Sequence, residues 1–274
     1  MEQINSDITF EELPFHLGIK ENDVVFISSD VSNFALKAKA DGTIINVDNF
    51  INNFQSILKN GTLIIPAYTD YLKDGETFDY LKSKPSTGAI SNKTFKRKDF
   101  QRTTDVLHSV FVWGKDSTKI LQLQDESTFG KNSIFSYLHQ VDCTFLFFDV
   151  NLLSSFTYIH YVEEYSNVHY RKYKHWKITF KKKDELVVKK VLFHTRKKGV
   201  FTNVEKLISS LFDQKKMTRY QYDTINIDKL KANNAAQTIE SLIQNKEYLY
   251  TFSYKEYFKI TLKDILIKLR LYKK

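Results

Sequence analysis

Continuous apolar runs and amphipathic stripes take turns along the chain. Four runs are unbroken: Asp23-Val24-Val25-Phe26-Ile27-Ser28, Thr62-Leu63-Ile64-Ile65-Pro66, Ser109-Val110-Phe111-Val112-Trp113, and Thr144 to Val150. A strand with one wetted face alternates apolar and polar residues, so these runs fit strands covered on both faces. Helical stripes lie between them. Phe50, Phe54, Ile57 and Leu58 follow Asp48, the expected N-cap, and Asn60-Gly61 is expected to stop that helix. Ile134, Tyr137, Leu138 and Val141 form a second stripe. Phe156, Ile159, Tyr161, Val162 and Tyr165 form a third, with a cap expected from Ser154-Ser155. Strands alternating with helices predict a layered α/β domain.

Beyond residue 165 the pattern changes. His175 to Phe180 and Leu186 to Phe193 predict a β-hairpin joined by Lys181-Lys182-Lys183-Asp184-Glu185, with Trp176, Ile178 and Phe180 on one face and Lys177 on the other. Helices are expected near 204–213 and 234–245, and a strand near 248–253. A last amphipathic helix runs through Leu262, Ile265, Leu266 and Leu269, beside Lys263, Lys268, Arg270, Lys273 and Lys274. No linker or repeat divides the chain, and its 274 residues fit one domain over 1–274 with the basic hairpin, 166–200, as an insertion.

Composition narrows the class. With 42% hydrophobic and 15% aromatic residues the chain is too apolar to be disordered. A single cysteine, Cys143, excludes an internal disulfide, and its place in the run Cys143 to Phe148 favours a buried inert thiol over a nucleophile. The segment Met1 to Asp7 has no basic start followed by an apolar core, and no apolar run approaches the roughly 18 residues of a membrane span. A reducing, cytoplasmic setting is the expectation.

The net charge of +9 suggests an anionic partner until it is mapped. Residues 1–164 carry −7, residues 165–200 carry +10, and residues 201–274 carry +6. The basicity is local to the hairpin and the C-terminal part.

Several mechanisms lack parts. Gly130-Lys131 is not a phosphate-binding loop, because Asp125 stands where the first glycine is needed. There is no Gly-x-Gly-x-x-Gly and no Gly-x-Ser-x-Gly. His160, Glu163 and His169 are the nearest approach to a metal set, but helical spacing does not bring His169 beside His160, so no metal is expected. Within Thr157-Tyr158-Ile159-His160-Tyr161-Val162-Glu163-Glu164, His160 and Glu163 share a helix face. A carboxylate beside an imidazole fixes its tautomer and makes it a better base. The same pair also occurs on helix surfaces without any role, so the pair alone does not decide. Tyr68 and Asp70 follow a strand's C-terminal end, where α/β proteins place ligands, and are substrate-site candidates.

Four further segments accompany the pair in order. They are Phe26-Ile27-Ser28-Ser29-Asp30-Val31, then Gly61 to Thr69, then Arg102-Thr103-Thr104-Asp105-Val106-Leu107-His108-Ser109-Val110 ending at Trp113-Gly114, then Phe129-Gly130-Lys131-Asn132-Ser133-Ile134 before the strand at 144–150. This series resembles the aminoglycoside 3-N-acetyltransferase family, also called the antibiotic acetyltransferases, from about residue 10 to 165. A weaker likeness follows over about 200–250, at Asn233-Asn234-Ala235. The resemblance implies that family's layered α/β/α sandwich, here with an additional basic hairpin and C-terminal helix. It implies acetyl-coenzyme A-dependent N-acetylation, with His160 as catalytic base and Glu163 as its orienting partner. Ser29, Val31, Arg102, Thr103 and Ser109 match the family's coenzyme-binding positions. Two departures are evident: Arg102-Thr103-Thr104-Asp105-Val106 replaces the family's Arg-Ser-x-His-Pro, and Phe148-Asp149 replaces its Leu-Gly.

The charge map bears on the acceptor. The acidic 1–164 segment suits a cationic amine, whereas the basic hairpin suits an anionic carrier such as a sugar nucleotide or glycan precursor. An amino sugar is therefore expected as the small-molecule partner, with aminoglycoside as one form, in antibiotic resistance or polysaccharide synthesis. The C-terminal helix is a candidate for peripheral contact with anionic lipid. Two alternatives stand beside this: a relative that keeps the fold without catalysis, and a nucleic-acid module using Tyr170, Tyr173 and Trp176 among the lysines of 170–198.

Overall fold

A computed structural model describes residues 1–268 and is built on an eight-stranded mixed sheet. The strands in chain order are β1 (Glu2–Ile4), β2 (Val24–Ser29), β3 (Thr62–Pro66), β4 (Thr77–Asp79), β5 (Gln101–Arg102), β6 (Val110–Gly114), β7 (Thr144–Phe148), β8 (Arg171–Lys182), β9 (Glu185–Arg196), β10 (Val200–Thr202), β11 (Met217–Tyr222), β12 (Ile225–Lys231) and β13 (Tyr250–Phe252). The helices are α1 (Ser32–Ala40), α2 (Val47–Ile57), α3 (Ala89–Thr94), α4 (Ser117–Leu121), α5 (Ile134–Gln140), α6 (Leu152–Ser155), α7 (Tyr158–Tyr165), α8 (Glu205–Asp213), α9 (Ala232–Gln244) and α10 (Tyr254–Lys268). The main sheet has the order β1-β11-β12-β7-β2-β3-β6-β5, with β7, β2 and β3 parallel at its centre.

The continuous apolar runs become these central strands, and successive residues serve opposite layers. Phe26, Ile64, Phe145 and Phe147 face the layer made with α5, α7, α8 and α9. Val25, Ile27, Leu63, Ile65, Leu146 and Phe148 face α1, α2 and a 3-10 turn over Phe10–His16. The expected layered α/β/α arrangement is therefore the observed one.

Local details differ from expectation. Asn46, not Asp48, caps α2: its side chain accepts from the Asn49 N–H at 3.1 Å. Asp48 sits in the first turn and instead holds Lys93 at 2.7 Å and Arg97 at 3.3 Å. Ser154-Ser155 do not cap the third stripe. They close the short α6, Phe156 interrupts, and α7 starts after Thr157. Strands β11 and β12 have no counterpart in the sequence expectation. They carry polar residues that satisfy one another across the pair, as Arg219 and Asp228 do with two 2.7 Å hydrogen bonds.

The hairpin is longer than its apolar pattern suggested. Strands β8 and β9 pair from Arg171↔Arg196 to Lys182↔Glu185 around a two-residue turn, with Lys183 at φ 55°. Parallel pairing of β4 with β8 attaches this ribbon to the body, and Phe78, Leu107, Ile178, Phe180 and Val191 form a small core beneath it. On α10, Tyr254, Phe258, Leu262 and Ile265 are exposed. The rest of the expected C-terminal helix, from Leu269, lies outside the described residues. Among the described residues no helix is long and apolar enough to cross a membrane.

Candidate active site

Helix α7 buries Tyr158, Ile159 and Val162 in the core, which turns His160 and Glu163 toward the base of the ribbon. Glu163 is 1% exposed, and both of its oxygens are engaged. Oε2 accepts from His160 Nδ1 at 2.7 Å and lies 3.1 Å from Arg171 Nη1; Oε1 accepts from the Tyr170 hydroxyl at 2.8 Å. Burial alone would raise the Glu163 carboxyl. The His160 hydrogen bond and charge, with Arg171 and Tyr170, outweigh it and hold the group below its ordinary value.

Because Nδ1–H is given to Glu163, the neutral imidazole presents an unprotonated Nε2. About a quarter of the His160 side chain is exposed, at 25%. Burial lowers the His160 pKa, Glu163 pulls it up, and the Arg171 and Arg196 charges push it down; the net direction is down. His160 is thus neutral at neutral pH. Arg171 Nη1 also lies 3.1 Å from Nδ1, but that nitrogen carries the proton shared with Glu163, so this is a contact. Arg171 Nη2 donates to the His194 carbonyl at 2.9 Å, tying α7 to the ribbon.

A second histidine–carboxylate contact adjoins the first. His194 is buried, its Nδ1 has no hydrogen-bond partner, and Glu164 Oε2 is 3.6 Å away. Burial, with the Arg171 charge, pushes His194 down to about 4. Burial raises Glu164, which accepts from the Ser127 hydroxyl at 2.8 Å.

The Phe129 ring meets His160 edge-on at 5.9 Å and His108 at 5.5 Å. Its loop is closed by Asp125, which accepts from the N–H groups of Ser127 and Asn132 at 3.2 and 3.0 Å. Gly130 is required there: a Cβ would stand 2.3 Å from the Asp125 carboxylate.

Two clefts adjoin this region. The first, about 530 Å³, opens at the C-terminal ends of β2 and β3 and is lined by Ser29, Val31, Tyr68, Asp70, Gly88, His108, Ser154 and Thr157. Thr157 stands three residues before His160. The second, about 620 Å³, lies between residues 103–106, residues 123–128 and residues 187–191 of β9. Its lining includes Ser127 and Thr128, immediately before the Phe129 ring.

A family model described as aminoglycoside 3-N-acetyltransferase matches residues 37–244, a span that includes α7, the second cleft and the ribbon. The chain belongs to that family. Among solved structures, the aminoglycoside acetyltransferase AAC(3)-IVa apoenzyme is similar at TM-score 0.64 and 17% identity, over 85% of this chain and 86% of that one. AAC-IIIb in its binary complex with CoASH is similar at TM-score 0.70 and 12% identity, over 87% and 97%. YokD from Bacillus subtilis is similar at TM-score 0.68 and 17% identity, over 85% and 91%. No curated protein matches the sequence. As a member of the aminoglycoside 3-N-acetyltransferase family, the chain is an N-acetyltransferase whose co-substrate is acetyl-coenzyme A.

The first cleft fits an acyl-pantetheine arm: it is open, rich in hydroxyls, and free of lysine and arginine along its lining. Gly88 borders the cleft at φ 95°, where an added Cβ would be strained and lie 3.2 Å from the Ser29 carbonyl oxygen. Of the residues matched to the family's coenzyme positions, Ser29 and Val31 line this cleft. Arg102 and Ser109 are placed differently. Arg102 is 4% exposed and gives its guanidinium to Ser109 Oγ, Ser83 O and Ala67 O at 3.0, 2.6 and 2.6 Å, over the Phe78 ring. It braces the strands around the cleft from inside. Thr103 is also buried; its hydroxyl accepts from the Val110 N–H at 2.9 Å, and it borders the second cleft.

Both family departures have local compensation. Asp105 accepts from the N–H groups of Leu107 and His108 at 2.8 and 2.7 Å, holding the turn that a proline would stiffen. Asp149 adopts the left-handed φ of 52° that glycine takes readily, and its carboxylate accepts from Asn33 Nδ2 at 2.6 Å. Cys143 is buried and its thiol is pushed up by burial, so it is no nucleophile.

Sequence reasoning missed Tyr170, Arg171, His194 and Ser127 as neighbours of the pair. Tyr170 has a place only in the nucleic-acid alternative, yet it and Arg171 are buried against Glu163 and are closed to bases and phosphates. His169 packs on the Tyr248 ring at 4.7 Å. A tyrosine and an arginine soon after a helical His-x-x-Glu give the only, and weak, sequence signal.

Proposed function

We propose that this chain acetylates the amino group of an amino sugar, with His160 as general base and Glu163 as the residue that orients it. The observation that carries this is the 2.7 Å His160–Glu163 contact, which leaves Nε2 free on a partly exposed ring. The coenzyme supplies an acetyl thioester. His160 Nε2 takes a proton from the acceptor amine as its nitrogen attacks the thioester carbonyl. The carbon–sulfur bond then breaks, and the departing sulfur regains a proton from the imidazolium.

In this reading Ser29 and Val31 border the coenzyme in the first cleft, with Tyr68 and Asp70 at the rim nearest the acceptor. Arg102, Thr103 and Ser109 act as positioning residues that hold the walls. The acceptor enters by the second cleft, where Ser127 and Thr128 lie beside Phe129. The chain works as one domain, because the ribbon base provides Tyr170 and Arg171 to the site. Several solved relatives are complexes with aminoglycosides, including an AAC(3)-IVa variant with apramycin and AAC-VIa with sisomicin, and aminoglycosides are one acceptor class to test.

The test is thiol release from acetyl-coenzyme A across amino sugars, sugar nucleotides and aminoglycosides, with product identified by mass. The reading expects N-acetylated product and its loss in His160→Ala. Full activity of His160→Ala on the best acceptor would overturn the assignment.

A further inference from the structure

Helix α10 turns an apolar row away from the body of the protein. Tyr254, Phe258, Leu262 and Ile265 recur at helical spacing and are between 48% and 73% exposed. The row runs about 16 Å along the helix. Lys255 and Lys259 stand one position further round on the same outward half, and both are exposed. The other half faces the protein: Glu256, Ile260, Thr261 and Asp264 are less exposed.

Two contacts fix the rotation of the helix and so hold the row outward. Asp264 meets Lys198 at 2.6 Å. Tyr257 packs beside Gly199, where an added Cβ would stand 2.9 Å from the Tyr257 Cβ. The apolar surface continues past the helix: the Phe252 ring, 43% exposed, meets Tyr254 at 4.9 Å, and exposed Phe201 lies on the strand paired with it. Arg196 adds a cation there, 5.8 Å from the centre of the Phe201 ring. A contiguous apolar row open to water is unfavourable until something covers it.

Charge selects the cover. Residues 254–274 carry +5, from seven lysines and arginines against Glu256 and Asp264. Both acids already serve cations, Glu256 at 3.6 Å from Lys259 and Asp264 on Lys198. A twofold pairing of α10 with a second copy would therefore bring lysines against lysines. An anionic bilayer offers an apolar layer and negative charge side by side, which matches an apolar row flanked by lysines. We propose that α10 lies on an anionic membrane surface, with Tyr254, Phe258, Leu262 and Ile265 entering the headgroup boundary and Lys255 and Lys259 meeting lipid phosphates.

The experiment is co-sedimentation of the full chain with vesicles of phosphatidylcholine alone and of equimolar phosphatidylcholine and phosphatidylglycerol, with sedimentation velocity of the lipid-free protein beside it. The expectation is a monomer that binds the anionic vesicles about tenfold or more tightly than the neutral ones, and less so as salt rises. Lys255→Gln/Lys259→Gln should reduce that preference severalfold. Phe258→Ser/Leu262→Ser should weaken binding to the anionic vesicles about tenfold or more, with the melting curve and any acetyl transfer in solution unchanged. Equal or absent binding to the two vesicle types would overturn the proposal, as would binding that survives the Phe258 and Leu262 substitutions or a preference untouched by the lysine substitutions. A lipid-free dimer that the Phe258 and Leu262 substitutions dissolve would assign the row to a second copy and overturn it equally. Vesicle binding does not depend on turnover, so none of these outcomes bears on acetyl transfer.

Discussion

His160 Nδ1 and Glu163 Oε2 lie 2.7 Å apart on one turn of α7, and the carboxylate is almost wholly shielded from water. The contact fixes which imidazole nitrogen is protonated and so which one can accept a proton. Replacing His160 with alanine is expected to lower kcat by about 10²–10⁴-fold, the usual worth of a positioned general base, without unfolding the protein.

The pH profile follows from the direction of the His160 shift. The imidazole must be neutral to act, and its pKa lies below the ordinary 6.5, so the midpoint of the acid limb of activity is expected below pH 6.5. Glu163→Gln removes the group that pulls this pKa up. The variant should lose kcat and move its acid limb to still lower pH, as read from kcat/KM against pH. A limb that moves upward would contradict the assigned contact.

Arg171 compensates the buried Glu163 charge and joins it to the ribbon through the His194 carbonyl. Arg171→Met leaves a buried carboxylate without its cation and should cost about 3–5 kcal/mol of stability. Thermal or urea unfolding measures this directly. A companion Arg171→Lys keeps the charge but not the two-armed geometry, and should lose less.

His194 makes stability depend on pH. Its folded pKa of about 4 lies below the 6.5 of an exposed histidine, so the folded state resists protonation. The contribution is fully present above pH 6.5 and is lost as pH falls toward 4. The whole span corresponds to about 3 kcal/mol, with about 2 kcal/mol gone by pH 5. His194→Gln should therefore show a smaller fall in Tm between pH 7 and pH 5 than the parent protein.

Gly130 tests the Phe129 loop. An alanine methyl would collide with the Asp125 carboxylate and displace the segment beside the second cleft. Gly130→Ala should cost about 1–3 kcal/mol and raise the acceptor KM, while the thermal shift given by coenzyme A stays unchanged.

Much of this protein is written in local pattern. The unbroken runs at 23–28, 62–66, 109–113 and 144–150 could be satisfied only between two apolar layers, and that requirement alone predicts the sheet's centre. His-x-x-Glu on a helix fixes the His160–Glu163 pair, because residues three apart share a face wherever the helix lies. Strands β11 and β12 were hidden because their polar residues pair with each other, a match that exists only once the strands are adjacent. Arg102 matches a coenzyme-binding position in the sequence and is a buried brace in the fold, because three acceptors from separate segments meet at its guanidinium. Tyr170 and Arg171 read as surface residues of a basic ribbon and become the partners of Glu163, because the ribbon's base packs against α7. Periodicity and spacing determine elements and the pairs within them. Burial and the charge environment that keep His160 neutral come from chain segments that only the tertiary fold brings together.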